Sequence, residues 1–479
     1  MRLPRTKVLD PDEVQKIHEA SLSLLENPGI LVFNDQVLEL LSDAGCRVEK
    51  VEGGGMARIP GSLVEESLDW VPPRISLYNR DLEPALTLGD GKVRCASGHN
   101  AIFVQDGRDG ERRPATKADV AGFARIADRL DRFSVVGIEA MPQDVPPRAS
   151  LVHAAEAVLT NTRKPLYYSP ETHIENRAIM DMARVVSGTD DLADKPMLAC
   201  QVSSSSPLCW TGGAAQALVE TCRAGIPVSI LAEPSAGGTA PITLAGLLTV
   251  HNTEVLSGVV MSQLVRKGTP VIYGTAWTTL SMRTALATIG SPESALLRVA
   301  GAQLAEFYGF PSHAIGPDSD SNCYDEQQGW EKILTAFAAL SSGVTLMVNS
   351  GMFATGLTVS FEQLIVDHEI VNIVYRLLDG IEVNADTIAL DVISSAGPRG
   401  DFLMSDHTLR YLRSGEHLEK AVANQVTYDA WRSLGSPDVV ENAGRIAKEI
   451  LGSHEPVPLK EGVRKELRTI VQEFESSVS

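Results

Sequence analysis

Short apolar runs alternate with amphipathic helical patterns from about residue 130 onward. Each run is four to seven residues long and is followed by apolar positions at helical spacing, and the unit repeats at intervals of roughly thirty to forty residues. This βα rhythm is typical of a parallel sheet whose successive strands are connected by helices. The predicted strands are 134–140, 165–169, 197–202, 227–232, 270–274, 313–316 and 344–349.

An eighth strand is less clear, and the best match is 387–393, in a segment that could equally be helical. Seven or eight βα units of this size favour an α/β fold of the TIM (β/α)8 barrel type over a doubly wound sheet. No G-x-G-x-x-G or Walker motif follows a strand, so a nucleotide-binding fold has no support. We predict an N-terminal helical extension at 1–95, the barrel at 96–400, and a C-terminal helical segment packed on the barrel at 401–479.

Helix-start signals mark the N-terminal extension. Asp10 followed by Pro11 predicts a capped first helix, and Asn34 predicts the cap of a second. Ser62, with Glu65 in the capping-box position, predicts the start of a third. The first ninety or so residues are therefore expected to be helical.

The charge balance narrows the class of partner. The chain of 479 residues has 42 basic and 61 acidic residues, a formal net charge of −19, whereas nucleic-acid binding needs clustered Lys and Arg. The start of the chain lacks the apolar stretch of a signal peptide, and no uninterrupted apolar run reaches membrane-spanning length. We expect a cytoplasmic enzyme with neither a nucleic-acid nor a membrane partner.

The cysteines and histidines show no metal-site spacing. Six cysteines and ten histidines are scattered, without a C-x-x-C pair or an H-E-x-x-H motif. This distribution predicts reduced, mostly buried thiols and no metal site, and it weakens a metallohydrolase hypothesis.

The predicted strand ends supply the candidate site, because TIM-barrel chemistry lies at the C-terminal ends of the strands. They carry carboxylates, amides and aromatic rings without lysine or arginine, which suits an ammonium-type cation. Each side chain could equally have a structural role, as a salt-bridged acid or a core tyrosine. The candidates are Glu139, Tyr168, Gln201, Glu233, Tyr273, Asp318, Asp320 and Asn349, with Trp277, Tyr324 and Phe353 close behind.

The stretch GPDSDSNCYDEQQGWEK contains the densest group of acids. Its spacing begins like an EF-hand, but Cys323 and Gly329 occupy the positions that require glycine and glutamate, so a calcium loop is disfavoured. Asp325 is predicted to cap the following helix. Asp318 and Asp320 lie upstream of the cap and are expected to face the mouth of the barrel.

Six stretches are similar, in order and spacing, to the trimethylamine methyltransferase (MttB) superfamily. They extend from the first helix to beyond residue 410 and are IHEASLSLLENPGI, AGGTAPITLAGLLTVHNTEVLSGVVMSQLVRKGTPVIYG, IGSPESALLRVAGAQLAEFYGFP, SDSNCYDEQQGWEK, SFEQLIVDHEIV and GDFLMSDHTLRYLR. The resemblance implies a TIM barrel that moves a methyl group from a methylamine to the cobalt of a separate corrinoid protein docked at its mouth. No cofactor is then expected on this chain itself, and a homo-oligomer is expected.

The resemblance extends to a particular branch of the superfamily. Archaeal trimethylamine enzymes of the superfamily carry pyrrolysine, whereas this chain has only the twenty standard residues. It therefore resembles the non-pyrrolysine branch, which acts on quaternary amines such as glycine betaine, proline betaine or carnitine.

The chemistry agrees with that branch. Attack by Co(I) on a methyl of a quaternary nitrogen expels a neutral tertiary amine, so the enzyme needs chiefly position and a dry cavity. A betaine also has a carboxylate, for which His99 and Arg283 are candidate partners. The alternatives are methylcobalamin-dependent methylation of a tertiary amine such as dimethylglycine, a metal-dependent TIM-barrel hydrolase or lyase, and a non-catalytic binder of quaternary amines.

Overall fold

Eight parallel strands close into a barrel in the computed structural model, which describes residues 4–478. Each strand pairs with the next along the chain, and the last pairs with the first. The predicted TIM barrel is confirmed. The strands are β1 Arg94–Ser97, β2 Phe133–Gly137, β3 Leu166–Tyr168, β4 Leu198–Ser203, β5 Val228–Ala232, β6 Val271–Thr275, β7 Ser312–Ile315 and β8 Leu346–Ser350.

One helix follows each barrel strand and packs outside it. Local signals define the ends: the Ser291 side chain accepts from the Ser294 N–H, and Gly309 ends the same helix in the left-handed conformation, φ 79°. The connecting helices are Lys117–Arg129, Ser150–Asn161, His173–Ser187, Gly212–Ala224, Leu244–Val265, Pro292–Tyr308, Glu326–Ser342 and Phe361–Asp379. Pro147–Ala149 is a short 3-10 turn.

The eighth strand is not where the sequence pattern placed it. Segment 387–393 lies within the helices Ala385–Ile388 and Leu390–Ala396, so that prediction was wrong. The missing strand is β1, which precedes the other seven. Its four residues begin with Arg94 and end with Ser97, so it lacks the apolar run that marked the others.

The N-terminal region contains strands as well as helices. Asp10 and Asn34 cap the first two helices as predicted, whereas the third starts at Gly61 after Pro60, with no side-chain cap, so Ser62 is not its cap. The helices are Pro11–Glu26, Asp35–Asp43 and Gly61–Asp69. The strands Ile30–Val32, Arg47–Val51 and Gly54–Arg58 form a four-stranded sheet with Cys209–Trp210.

A hairpin closes the N-terminal end of the barrel. Its strands, Ile75–Tyr78 and Pro84–Leu88, are antiparallel. Four of its apolar side chains belong to the same buried cluster as the barrel-interior residues of β1 to β8. They are Ile75, Leu77, Leu86 and Leu88. Because this end is plugged, a ligand reaches the barrel interior from the C-terminal ends of the strands.

Small sheets built from the βα loops surround that opening. Phe103–Gln105 and Arg112–Pro114 follow β1 and pair with Met352–Phe353 and Thr358–Val359 after β8. Ser235–Ala236 after β5 pairs with the hairpin Thr278–Leu280 and Ala287–Thr288 after β6. The chain ends in the helices Ala385–Ile388, Leu390–Ala396, Asp406–Leu412, Tyr428–Ser433, Val439–Ser453 and Glu461–Val478.

Within residues 4–478, Leu244–Val265 is the single helix long and apolar enough to cross a membrane by length and composition. The most apolar window of this helix is 78% buried inside the protein. Core helices of large domains have the same character. Here the helix packs between Pro11–Glu26 and the barrel.

Candidate active site

The floor of the barrel mouth is a hydrogen-bonded group of polar side chains. The Tyr167 hydroxyl, on β3, donates to Gln201 Oε1 on β4 at 2.8 Å and lies 3.2 Å from His313 Nδ1 on β7. The Ser229 hydroxyl on β5 contacts the same His313 nitrogen at 2.8 Å. Side chains alternate between the two faces of a strand, and these four are the ones that point to the barrel axis.

Burial keeps this floor neutral. It lowers the pKa of His313 to about 3, so its imidazole is uncharged at neutral pH. Burial also raises the pKa of Tyr167, whose hydroxyl stays protonated. The other ring nitrogen, His313 Nε2, has no hydrogen-bond partner among residues 4–478. The floor therefore presents one unused polar atom.

Glu139, two residues beyond β2, is the most unusual acid of the mouth. Its side chain is buried, and neither carboxyl oxygen has a hydrogen-bond partner within the described chain. Burial raises its pKa to about 8, and the nearby Gly98 N–H and Ser97 hydroxyl oppose this rise. A buried acceptor without a donor costs free energy, so this carboxyl is a place where a ligand can supply the missing interaction.

Two glycines make room for this carboxyl. A Cβ at Gly98 would lie 2.3 Å from Glu139 Oε2 and 3.0 Å from the Ser350 carbonyl oxygen. Gly351, with φ 99°, would place a Cβ 3.2 Å from the same Oε2. Any larger side chain at Gly98 would displace Glu139.

His99 lies beside Glu139 on the neighbouring strand end. The Ala101 N–H donates to the Glu139 carbonyl and joins the two loops. The His99 ring is 5.6 Å from the Tyr167 ring, and both ring nitrogens lack a hydrogen-bond partner in the described part of the chain. Burial lowers the His99 pKa to about 4, so the ring is neutral. As a neutral donor, it is a weaker carboxylate partner than a charged group.

Glu233 extends from β5 on the same face as Ser229, because the two residues are four positions apart. Its side chain is exposed, yet the surrounding protein desolvates it enough to raise its pKa, and its charge raises that of Tyr167. The carboxyl therefore remains accessible to solvent although protein surrounds it. Glu139 and Glu233 thus bring two acids to a mouth whose two histidines are neutral.

Tyr168 and Tyr273 lie outside this pocket. The Tyr168 hydroxyl donates to Asn176 Oδ1 at 2.7 Å, on helix His173–Ser187, and the Tyr273 hydroxyl donates to Asn252 Oδ1 at 2.8 Å, on helix Leu244–Val265. Both are fully buried between barrel and helices. Their positions on the strands give the reason, since Tyr167 and Gly274 take the inward-facing places next to them.

Trp277 also packs outward. Its ring lies 4.3 Å from the His251 ring, and a Cβ at Gly301 would be 2.1 Å from the indole, so the side chain fills the space that Gly301 leaves on helix Pro292–Tyr308. The Trp277 indole N–H has no partner within residues 4–478.

The acids of the predicted mouth loop have partners within the protein. Asp318 is fully buried and forms a 2.6 Å ion pair with Arg298, while Asn349 Nδ2 reaches its other oxygen at 3.5 Å. Asp318 therefore already has a cation beside it. The expectation that no basic side chain faces the strand-end acids does not hold, because Arg298 reaches Asp318 from the preceding helix.

Asp320 fastens two loops together. Its carboxylate accepts the N–H groups of Ile289 and Gly290 at 2.9 and 3.0 Å, and the Thr355 hydroxyl at 3.1 Å. Asp325 accepts the Gln328 N–H and caps the helix Glu326–Ser342 as predicted. These contacts give Asp320 a role in holding the rim of the mouth in place.

A second buried ion pair lies behind Glu139. Lys332 Nζ is 2.8 Å from Asp367 Oδ2 and also donates to the carbonyls of Pro317 and Met352. The Gly351 N–H donates to the same Asp367 oxygen at 2.6 Å. The pair affects the Glu139 pKa in opposite directions, Asp367 raising it and Lys332 lowering it.

The remaining candidates lie on the rim. Tyr324 packs against Phe353, with ring centroids 5.6 Å apart, and its hydroxyl hydrogen-bonds to Ser360, the cap of helix Phe361–Asp379. Arg283 is exposed at the tip of the hairpin after β6, beside Met282, which is 68% exposed. The structure does not bring Arg283 to the floor of the pocket.

Four residues of the site were not predicted from the sequence: Tyr167, Ser229, His313 and Lys332. The first three could be found by two-residue periodicity along each predicted strand, because an inward-facing residue one to three places before the strand end reaches the pocket floor. Lys332 is on a helix within an apolar pattern, and the sequence carries no signal that it points toward the barrel.

Comparison with known proteins agrees with this architecture. A family model described as "Trimethylamine methyltransferase (MTTB)" matches residues 1–478. The chain belongs to this family. It is a methyltransferase, and the family match extends over nearly its whole length.

Two relatives from Desulfitobacterium hafniense carry different names. "Trimethylamine methyltransferase MttB" of strain DSM 10664 / DCB-2 is 33% identical over 466 residues, covering 97% of this chain and 93% of the relative. "Glycine betaine methyltransferase" of strain Y51 is 31% identical over 472 residues, covering 98% of this chain and 97% of the relative. A relative named for trimethylamine and one named for glycine betaine are therefore at similar distance from this methyltransferase.

A solved structure supports the fold. The crystal structure of the Methanosarcina barkeri monomethylamine methyltransferase (MtmB) aligns with a TM-score of 0.50 at 12% identity, covering 98% of this chain and 96% of that one. At this identity the likeness concerns the barrel and its additions alone.

Proposed function

We propose that this methyltransferase moves a methyl group from a quaternary amine of the glycine betaine, proline betaine or carnitine type to the Co(I) of a separate corrinoid protein. The observation that carries the proposal is Glu139, a buried carboxyl in the barrel mouth whose two oxygens have no hydrogen-bond partner within the described chain. A quaternary ammonium has charge but no N–H, so it suits a buried acid whose oxygens complete no hydrogen bond within the described chain.

The mouth is built to hold such a cation without binding it too strongly. Glu233 supplies negative charge, and Glu139 supplies it once a bound cation has displaced its proton, while the Tyr167 ring and the neutral His99 ring supply aromatic surface. The ammonium loses its positive charge in the transition state, so an interaction that stabilises this charge in the bound substrate slows the reaction. Two acids at a polar, largely neutral floor are therefore a better arrangement than a close ion pair.

The residues of this chain contribute position and exclusion of water. The docked partner protein supplies the cobalt nucleophile, and a neutral tertiary amine leaves as the methyl carbon is transferred. The plugged N-terminal end of the barrel leaves the mouth as the route for both substrate and partner. The substrate is therefore held with a methyl group toward the opening.

The reverse transfer is the second candidate function. Methylcobalamin-dependent methylation of a tertiary amine such as dimethylglycine requires the amine to lose its proton, and Glu139, with a pKa of about 8, has the right basicity to take it. The two directions differ in the ligand that should bind: a quaternary amine in one, a tertiary amine in the other.

Calorimetric titration separates these possibilities. Glycine betaine, proline betaine, carnitine, dimethylglycine and trimethylamine are titrated into the wild type, Glu139→Gln and Glu175→Gln. Glu175 is a matched control, because burial raises its pKa too, but it belongs to the capping box of helix His173–Ser187.

We expect a quaternary amine to bind the wild type and Glu175→Gln, and to bind Glu139→Gln at least tenfold more weakly. Preferential binding of dimethylglycine would support the reverse direction. Equal binding of a quaternary amine to Glu139→Gln would refute the role given to this acid.

A further inference from the structure

Lys332 is a buried cation behind the mouth of the barrel. Its side chain lies on helix Glu326–Ser342 and is 1% exposed. A lysine is almost never buried to this extent unless its ammonium group is fully paired. Here the ammonium group has three acceptors: the Pro317 carbonyl at 3.0 Å, the Met352 carbonyl at 2.6 Å and Asp367 Oδ2 at 2.8 Å.

These three acceptors belong to separate parts of the barrel. Pro317 follows β7, Met352 follows β8, and Asp367 lies on helix Phe361–Asp379. Hydrogen bonds from a charged donor are stronger than those between neutral groups. The Lys332 ammonium group therefore fixes the loops after β7 and β8 relative to the last barrel helix.

Asp367 completes the attachment of the turn after β8. Its Oδ2 also accepts the Gly351 N–H at 2.6 Å, and its Oδ1 accepts from Gln363 Nε2 at 2.7 Å. The Gly351–Met352 turn is thus held at two points: Asp367 accepts its first N–H, and Lys332 donates to its second carbonyl.

This turn packs against two residues of the mouth. A Cβ at Gly351 would lie 3.2 Å from Glu139 Oε2, so the backbone of the turn approaches this carboxyl closely. Met352 Sδ accepts the His99 N–H at 3.2 Å. A shift of the turn would change the space around both side chains, and about 1 Å of misplacement can cost a hundredfold in rate.

The ion pair also supplies charges that act on Glu139. Asp367 raises the Glu139 pKa and Lys332 lowers it, while the adjacent His99 ring is neutral. The donors at the end of β1 are uncharged. Because the two charges are opposite and adjacent, their effects on Glu139 oppose each other while both are present, and removal of one charge leaves the other unopposed.

We propose that Lys332 is a positioning residue of this methyltransferase, which holds the Gly351–Met352 turn against Glu139 and His99 and thereby fixes the place of the amine. The inference rests on the proposed function for the identity of the ligand. The contacts of Lys332 themselves belong to the free protein and can be tested without an amine.

Two variants separate the charge of the pair from the position of the turn. Asp367→Asn removes one charge and keeps the Lys332 contacts with both loop carbonyls. Gln363 can turn its amide to accept from the new NH₂ group, because its Oε1 has no other partner among residues 4–478. Lys332→Met combined with Asp367→Asn removes both charges and the carbonyl contacts, and it leaves no unpaired charge of this pair in the core.

Asp128→Asn is the matched control. Asp128 is also a largely buried acid, with 11% of its side chain exposed, and it accepts the Arg163 N–H at 3.0 Å. Arg163 lies just before β3, so this acid is at the opposite end of the barrel from Glu139. Circular dichroism of each variant verifies that it is folded.

Infrared titration of the free protein measures the charge effect. The C=O band of the protonated Glu139 carboxyl, assigned by its loss in Glu139→Gln, should disappear with a midpoint near pH 8. Asp367→Asn should lower this midpoint by about one pH unit, because Lys332 remains without the opposing charge. The combined variant should return to within about half a unit of the wild type, and Asp128→Asn should keep the wild-type midpoint.

Two further measurements report the position of the turn. Hydrogen exchange of the His99 amide should be faster in the combined variant than in Asp367→Asn, because the turn that carries its acceptor Met352 is released. At pH 9, where Glu139 is ionised, glycine betaine should bind Asp367→Asn nearly as tightly as the wild type. It should bind the folded combined variant about tenfold or more weakly.

The outcomes distinguish this inference from the proposed function. Failure of every amine to bind the wild type would refute the proposed substrate, and the measurements on the free protein would still decide the role of Lys332. An unchanged infrared midpoint in Asp367→Asn would overturn the proposal. So would a folded combined variant with wild-type exchange at the His99 amide, or one that binds glycine betaine as tightly as the wild type.

Discussion

The pH dependence of amine binding should report directly on Glu139. In the free protein its pKa is about 8, so at pH 7 about 90% of molecules hold this carboxyl protonated. A bound quaternary ammonium favours the carboxylate, so binding below pH 8 must release a proton. One pKa unit corresponds to about 1.4 kcal/mol, and the affinity at pH 7 should therefore be about tenfold weaker than at pH 9.

Titration calorimetry with glycine betaine between pH 6.5 and 9 measures this effect. The ligand suits the purpose because its quaternary nitrogen does not titrate and its carboxylate stays ionised across this range. Measurements at pH 6.5 in buffers of different ionisation enthalpy should give close to one proton released for each ligand bound. Above pH 8.5 the release should fall toward zero.

The two variants identify the side chain that releases the proton on binding. In Glu139→Gln the pH dependence should disappear, whereas Glu175→Gln should keep it. A dissociation constant that varies less than twofold from pH 6.5 to 9 in the wild type would refute the reasoning. So would a slope that persists in Glu139→Gln, since another group would then carry the proton.

Three further predictions concern stability and packing. Burial raises the native pKa of Glu139 from 4.5 to about 8, so between these pH values the native state binds more protons than the unfolded state. The free energy of unfolding of the wild type therefore falls as pH rises through this interval. In urea unfolding, Glu139→Gln should gain on the order of 3 kcal/mol relative to the wild type between pH 5.5 and 8.5. Asp318→Asn leaves the buried Arg298 cation unpaired and should cost about 3–5 kcal/mol of unfolding free energy, whereas a loss below about 1 kcal/mol would contradict the buried ion pair. Gly98→Ala should weaken amine binding at least tenfold in calorimetry, because its Cβ would lie 2.3 Å from the Glu139 carboxyl, while Gly329→Ala, with open space around it in a helix, should leave binding unchanged and stabilise by about 0.5–1 kcal/mol.

The barrel could be predicted from the sequence because its signals are local and repeated. Seven strands were found from apolar runs, and the caps at Asp10, Asn34 and Asp325 were found from residue type alone. β1 was missed because a four-residue strand that begins with Arg94 has almost no apolar pattern. β1 forms because it pairs with β2 and β8 when the barrel closes, and its own sequence does not indicate this pairing.

The site was harder to predict because a difference of one residue reverses the direction of a side chain. Tyr168 and Tyr167 are equally good aromatic candidates in the sequence, yet only Tyr167 faces the barrel axis. Glu139 and Glu233 were found as strand-end acids, but the absence of hydrogen bonds at Glu139, among residues 4–478, is visible only in three dimensions.

Long-range ion pairs and hydrogen bonds explain the remaining differences. Asp318 and Asp320 were expected to hold a cation substrate, because the sequence does not indicate that Arg298 approaches from the preceding helix or that loop N–H groups satisfy Asp320. Such partners come from parts of the chain up to thirty-one positions away. Their pairing depends on the packing of helices around the barrel.

The measurement that tests the central claim most directly is methyl transfer to cobalt. Reduced cob(I)alamin, or a corrinoid protein in the Co(I) state, is mixed with the purified chain and one amine at a time, and the Co(I) absorbance is followed under strict exclusion of oxygen. We predict that a quaternary amine of the betaine type gives loss of Co(I), formation of methyl-Co(III) and one equivalent of the tertiary amine, with a rate at least tenfold lower in Glu139→Gln. Transfer from trimethylamine with none from any quaternary amine, or equal rates in wild type and Glu139→Gln, would contradict the account.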